Sequence, residues 1–180
     1  RGKYLGIIGL GNIGKRLGRL ARALNMNIIG YDVVPIDEEF SKEVGLMKAD
    51  LNTLLQSSDY ISIHVPLLDS TYHLLDEQKM STMKNTAKII NTSRGGVVDE
   101  DALYNAIKNG TLGGAALDVF EKEPAIGSKL AELDNVILTP HIGAQTKEAQ
   151  SLAANVIAEK IIQILRGVIW VSLVSFMPEL

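Results

Sequence analysis

The stretch Gly9-Leu10-Gly11-Asn12-Ile13-Gly14 stands directly after a short apolar run and at the start of a helical pattern. Glycines at this spacing make a phosphate cradle. The first allows a tight turn, the second lets an anion approach the backbone, and the third lets helix and strand pack closely. Free N–H groups and the helix dipole then favour a pyrophosphate. Asp32 ends the next apolar run, where a carboxylate can accept hydrogen bonds from both hydroxyls of a ribose. It would repel a 2′-phosphate, and Val33, Val34 and Pro35 bring no arginine to compensate. Together these features point to a dinucleotide, and to NAD over NADP.

Three further polar stretches each follow an apolar run: Thr92-Ser93-Arg94-Gly95-Gly96, Asp118-Val119-Phe120-Glu121-Lys122-Glu123-Pro124 and Thr139-Pro140-His141-Ile142-Gly143. Taken singly, each has a plain structural use. Arg94 suits a surface turn, Glu123 suits solvent, and a lone histidine such as His141 is most often structural. Taken jointly, at the ends of strands in a dinucleotide domain, an arginine, a carboxylate and a histidine can converge on one bound cofactor.

The elements that must position them alternate. Apolar runs at Tyr4–Gly9, Asn27–Tyr31, Tyr60–Val65, Ala87–Asn91, Gly113–Val119 and Val136–Leu138 read as strands. Helices are expected from Ile13, with Ile13, Leu17, Leu20 and Leu24 on one face, and at Asp37–Val44, Leu51–Leu55, Asp76 to about Met83, Asp99–Lys108 and Thr146–Leu165. The last places Ala149, Leu152, Ala153, Val156, Ile157, Ile161 and Ile164 on one face. Apolar strands without alternation, separated by helices, indicate a parallel sheet covered on both sides. That is a doubly wound α/β domain of the Rossmann type, with ligands at the carboxyl ends of the strands. One such domain is expected over residues 1–166. The apolar tail 167–180, which holds the only tryptophan, finds no place in the sheet.

Composition agrees. The chain has 180 residues, is 46% hydrophobic and 22% charged, and carries a net charge of -3, which argues against a nucleic-acid surface. With no cysteine, disulfides and thiolate nucleophiles are excluded, and a cytoplasmic location is expected. No apolar run has the length of a membrane span, and no metal-ligand cluster stands out.

The ordered motifs LGIIGLGNIGKRLG, YISIHVPL, INTSRGGVVDEDAL, GAALDVFEKEP and NVILTPHIGAQTKEAQ resemble the NAD-binding domain of the D-isomer-specific 2-hydroxyacid dehydrogenases, from Gly2 to about Arg166. Within that family, HIGAQTKEAQ and LAELDNV look most similar to the D-3-phosphoglycerate dehydrogenases of serine biosynthesis. The resemblance implies that Arg94 binds the carboxylate and carbonyl oxygen of a 2-oxo acid, that His141 is the acid/base, and that Glu123 pairs with that histidine. It also implies that Asn12 and Ile13 donate to the pyrophosphate and that Val65 and Pro66 line the adenine side. Thr92, Ser93 and Arg94 would approach the nicotinamide ribose, Asp118 would hold the carboxamide, and His141, Gly143 and Ala144 would complete the cofactor site. His64 is read as local structure near the cofactor, and His73 carries no assignment.

By the same resemblance, a substrate domain built mainly from a segment preceding Arg1 is expected, with the tail 167–180 crossing to it. A homodimer formed through the NAD-binding domain is expected too. The substrate is a small 2-oxo or 2-hydroxy acid, with D-3-phosphoglycerate among the candidates. An alternative stands beside the enzyme: an NAD-responsive, corepressor-like binding module on the same fold.

Overall fold

The computed structural model describes residues 2–166. Its strands are β1 (Tyr4–Ile8), β2 (Asn27–Tyr31), β3 (Met47–Lys48), β4 (Tyr60–Ile63), β5 (Lys88–Asn91), β6 (Gly114–Leu117) and β7 (Val136–Leu138). The helices are α1 (Asn12–Ala23), α2 (Glu38–Val44), α3 (Leu51–Ser57), α4 (Glu77–Met80), α5 (Glu100–Lys108) and α6 (Lys147–Leu165), with a 3-10 turn at Lys129–Glu132. The strands form one sheet in the order β3-β2-β1-β4-β5-β6-β7. Every pairing is parallel, as the doubly wound reading requires. The tail 167–180 lies outside the described residues.

Two compact units are present. Residues 1–140 hold the whole sheet, and α6 belongs to the second unit, which begins at His141. In the first unit the central strands of the sheet are buried on both faces. Leu5 and Ile7 of β1 and Ile28 of β2 pack with Ala21, Phe40 and Val44 of α1 and α2. Their neighbours Ile8 and Ile29 point the other way, into a core with Leu54, Leu55, Ile61, Ile63, Ile89 and Leu103. Successive residues of a strand face opposite sides, so a continuous apolar run serves two cores at once.

The expected buried stripe of α1 is corrected. Ile13, Leu20 and Leu24 are exposed, and the buried residues are Gly14, Gly18 and Ala21. A Cβ on Gly18 would lie 2.9 Å from the Phe40 ring and 3.7 Å from Ile7. The helix packs so closely at Gly14 and Gly18 that only glycine fits there, and of the expected face Leu17 alone is partly buried against this core. On α6 no residue is buried. The two-residue edge strand β3 and the 3-10 turn escaped the sequence reading, and β4, β6 and α4 are shorter than expected.

Side-chain caps fix where most helices begin. Asp37, Asp50, Asp76, Asp99 and Thr146 each accept a backbone N–H of the first turn, the usual way to satisfy donors that have no partner within the helix.

The packing of α1 sets an expectation. Gly18→Val should cost about 2 kcal/mol or more through overpacking, while Leu20→Ala should stay within about 0.5 kcal/mol of wild type. Urea unfolding of the two variants measures both; the reverse ranking would place the buried face on the leucines.

Candidate functional site

The carboxyl ends of the strands gather the polar stretches of the first unit. At the end of β1, Gly9 has φ 91, and a Cβ there would meet His64 O at 2.7 Å. A Cβ on Gly14 would meet Gly9 O at 2.1 Å. The loop therefore folds onto its own helix and onto the end of β4 at distances only glycine allows. Val65 closes over Gly9, its Cγ1 3.0 Å from the same Cβ position. Pro66 O accepts from Thr71 Oγ1 at 2.6 Å, which closes the turn after β4.

Helix α1 starts on Gly11 with no side-chain cap and no acidic residue in its first turn. Among the described α-helices it is the one that begins so. The N–H groups of Asn12, Ile13 and Gly14 thus face outward beside the positive end of the helix dipole, which suits an anion.

Asp32 lies just past β2. Its Oδ2 accepts from Leu10 N at 2.6 Å and its Oδ1 from Val34 N at 3.0 Å. The first bond ties the end of β2 to the glycine loop. A carboxylate has about four acceptor positions, so two remain for ribose hydroxyls. The uncapped helix, the glycine-only cradle and the half-used carboxylate all fit a dinucleotide.

Buried Asn91 organises the turn after β5. Its amide donates to Arg94 O at 2.9 Å, and its Oδ1 accepts from Ser93 N at 3.0 Å and Ser93 Oγ at 2.8 Å. Thr92 and Arg94 are exposed, and Arg94 Nη1 donates back to Ser93 O at 2.7 Å. A Cβ on Gly95 would stand 1.8 Å from Phe120 O, so this turn lies directly on the one after β6. Sequence reasoning missed Asn91; its signal was a lone amide ending an apolar strand, just before the arginine turn.

Asp118, after β6, is 5% exposed. Its N–H donates to Asn91 O at 3.0 Å and its Oδ1 accepts from Thr139 Oγ1, which links the ends of β5, β6 and β7. Glu123 Oε1 accepts from Phe120 N at 3.2 Å, so its carboxylate folds back on its own turn. The exposed Glu123 precedes a cis proline, Pro124.

His141, Gly143 and Ala144 belong to the second unit, where they are exposed. His141 adopts φ 54, its carbonyl accepts from Gln145 Nε2 at 2.9 Å, and Gln145 N donates to Ile142 O at 3.0 Å.

Half-buried His64 bonds Ser62 Oγ through Nε2 at 2.9 Å, and its N–H donates to Ile8 O at 2.7 Å. That bears out its reading as local structure beside the glycine loop. Burial pushes its pKa below the usual histidine value of 6.5.

The family model for the D-isomer specific 2-hydroxyacid dehydrogenase NAD-binding domain matches residues 1–143. The chain belongs to this family and matches its NAD-binding domain. It is 48% identical over 167 residues to the D-3-phosphoglycerate dehydrogenase of Methanocaldococcus jannaschii, covering 92% of this chain and 32% of that one. It is 45% identical over 175 residues to the glyoxylate reductase of Korarchaeum cryptofilum, covering 97% and 52%. Among solved structures, the D-lactate dehydrogenase of Aquifex aeolicus, complexed with NAD and lactic acid, superposes with a TM-score of 0.82 at 38% identity, covering 92% of this chain and 54% of that one. The chain thus spans from a third to about half the length of these relatives. No helix among the described residues is long and apolar enough to cross a membrane.

The lowered pKa of His64 has a sign. The unfolded chain takes up a proton near pH 6.5 that folded His64 resists, so this contribution to stability is full above 6.5 and declines as the pH falls toward the depressed folded value. Urea midpoints across this range should fall less steeply in His64→Gln than in wild type. Equal slopes would show that burial of the ring does not oppose its charging.

Proposed function

We propose that the chain is the cofactor half of an NAD-dependent dehydrogenase acting on a D-2-hydroxy acid and its 2-oxo acid partner, with D-3-phosphoglycerate among the candidate substrates. The observation that carries this reading is the uncapped start of α1 on Gly11, beside Asp32 at the neighbouring strand end, in a chain of this family. NAD, when bound, supplies the hydride acceptor, or in reduced form the donor.

The chain's residues take the remaining roles. Backbone N–H groups of Asn12 and Ile13, with Gly9, Gly11 and Gly14 keeping the approach open, hold the pyrophosphate, and Asp32 accepts from the adenosine ribose. Val65 and Pro66 line the adenine side, Thr92 and Ser93 approach the nicotinamide ribose, and Asp118 orients the carboxamide, with His141, Gly143 and Ala144 completing the site. Arg94 binds the carboxylate and the carbonyl oxygen of the oxo acid through its planar, permanently charged fork. His141 gives a proton to that oxygen during reduction and takes it back in the reverse direction. Glu123 pairs with that imidazole and fixes its orientation.

The NAD-binding domain is taken to run through residue 166. A substrate-binding domain supplies the other wall of the cleft. Two copies associate through the NAD-binding domain, and the setting is the cytoplasm.

Cofactor choice follows from Asp32. NADH should bind at least about tenfold tighter than NADPH, a difference of about 1.4 kcal/mol, as read by fluorescence titration of both. Equal affinities would remove Asp32 from the ribose.

Activity separates the two halves. The 180-residue chain should bind NADH but reduce hydroxypyruvate phosphate or glyoxylate about a thousandfold more slowly, or worse, than the chain joined to a substrate domain, because the oxo acid loses its positioning. The rate gained on joining should vanish in His141→Ala. Comparable rates with and without the added domain would refute the division of labour.

A further inference from the structure

Three segments close on His73, a residue outside the site described above. Its backbone has φ 47, the left-handed region that a residue with a Cβ enters at a cost. Glycine would take this conformation freely, so the turn itself does not call for a histidine. Its N–H donates to Gly96 O at 2.7 Å, and Leu75 N donates to Val97 O at 3.1 Å. The chain around His73 therefore runs alongside the residues that follow Arg94. The ring stacks on Tyr72 with centroids 4.0 Å apart. Nε2 lies 3.0 Å from Glu121 Oε1, and Nδ1 lies 3.6 Å from Asp99 Oδ2.

Both carboxylates hold other segments. Asp99 caps α5 through Ala102 N. Glu121 and Glu100 exchange backbone bonds: Glu121 N donates to Glu100 Oε1 at 2.6 Å, and Glu100 N donates to Glu121 Oε1 at 3.2 Å. Donor atoms of His73, Asp99 and Glu121 fall within 4.8 Å of one another. One ion would use only one ring nitrogen, and here the two nitrogens face different carboxylates. The group is a clasp between segments, not a metal cage.

We propose that His73 is a positioning residue: it fixes the turn carrying Arg94 against the turn carrying Glu123. This rests on the catalytic reading of those two residues given above. The clasp grips Gly96, two residues past Arg94, and Glu121, two residues before Glu123, while Gly95 seats on Phe120 between them. Backbone strain at a side chain that joins two functional turns is the pattern expected where geometry is held for use.

The test uses the complete dehydrogenase carrying this chain. His73→Gly relieves the backbone and keeps the N–H bond to Gly96, and it removes the ring with its contacts to Glu121, Asp99 and Tyr72. Its kcat should fall about tenfold to a hundredfold, the size of effect a small misplacement of reacting groups produces. Its NADH dissociation constant and its unfolding midpoint should stay close to wild type. His73→Gln, whose amide reaches the Nε2 position and can still donate to Glu121, should recover part of the lost kcat. Wild-type kcat in His73→Gly would overturn the proposal. A loss of kcat matched by losses of stability and NADH binding would overturn it too, by reducing His73 to a structural residue. If the reading beneath it is wrong, the failure looks different: Arg94→Lys would keep wild-type turnover.

Discussion

At three points along the carboxyl edge of the sheet, backbone meets backbone where no side chain could fit. Gly14 lies against Gly9 O, Gly9 against His64 O, and Gly95 against Phe120 O, with Cβ positions 2.1, 2.7 and 1.8 Å from those oxygens. The first folds the phosphate loop onto its helix. The second joins the ends of β1 and β4, and the third joins those of β5 and β6. The separate turns become one surface because glycine permits these approaches. Hydrogen bonds then lock the arrangement: Leu10 to Asp32, Asn91 to Ser93 and Arg94, Asp118 to Thr139.

Charge is distributed along this edge with the same economy. Aspartates cap four helices, and at Asp37, Asp50 and Asp76 the backbone N–H groups they accept from lower the carboxylate pKa. Helix α1 has no such cap, so its N-terminal donors stay available to a ligand. In contrast, Glu100 has a raised pKa, chiefly because it is partly buried, and it faces Glu121 in the clasp around His73. The edge therefore has a part open to an anion at α1 and a part closed by side chains at α5.

Local signals made much of this legible. The glycine spacing acts over a few residues, and the close turn and the tight helix–strand packing expected of it appear in the structure at Gly9 and Gly14; Asp32 stands where expected, just past the second strand. The sheet was legible because unbroken apolar runs have one use, burial on both faces. Failures came where distant packing decides. The buried face of α1 is made of Gly14, Gly18 and Ala21, with Gly9 O leaving no room beside Gly14 and Phe40 none beside Gly18; of the apolar residues carrying the signal, Leu17 is partly buried there while Ile13, Leu20 and Leu24 point outward. Strand β3 is two exposed residues on an edge, too short for any pattern. The clasp joins His73 to a glutamate 48 residues away, a pairing that no local spacing encodes. Asn91 is a middle case: its place before the arginine turn was visible, but its burial was not.

The central claim is that one continuous surface, from the glycine loop across Asp32 to the turns after β5 and β6, receives the dinucleotide. Amide NMR of the chain titrated with NADH tests this most directly. The account expects saturable shifts concentrated at Leu10 to Gly14, Asp32 to Val34, Thr92 to Gly95 and Asp118 to Phe120. Shifts confined to α5 and the 3-10 turn Lys129–Glu132, with the glycine loop unmoved, would contradict it.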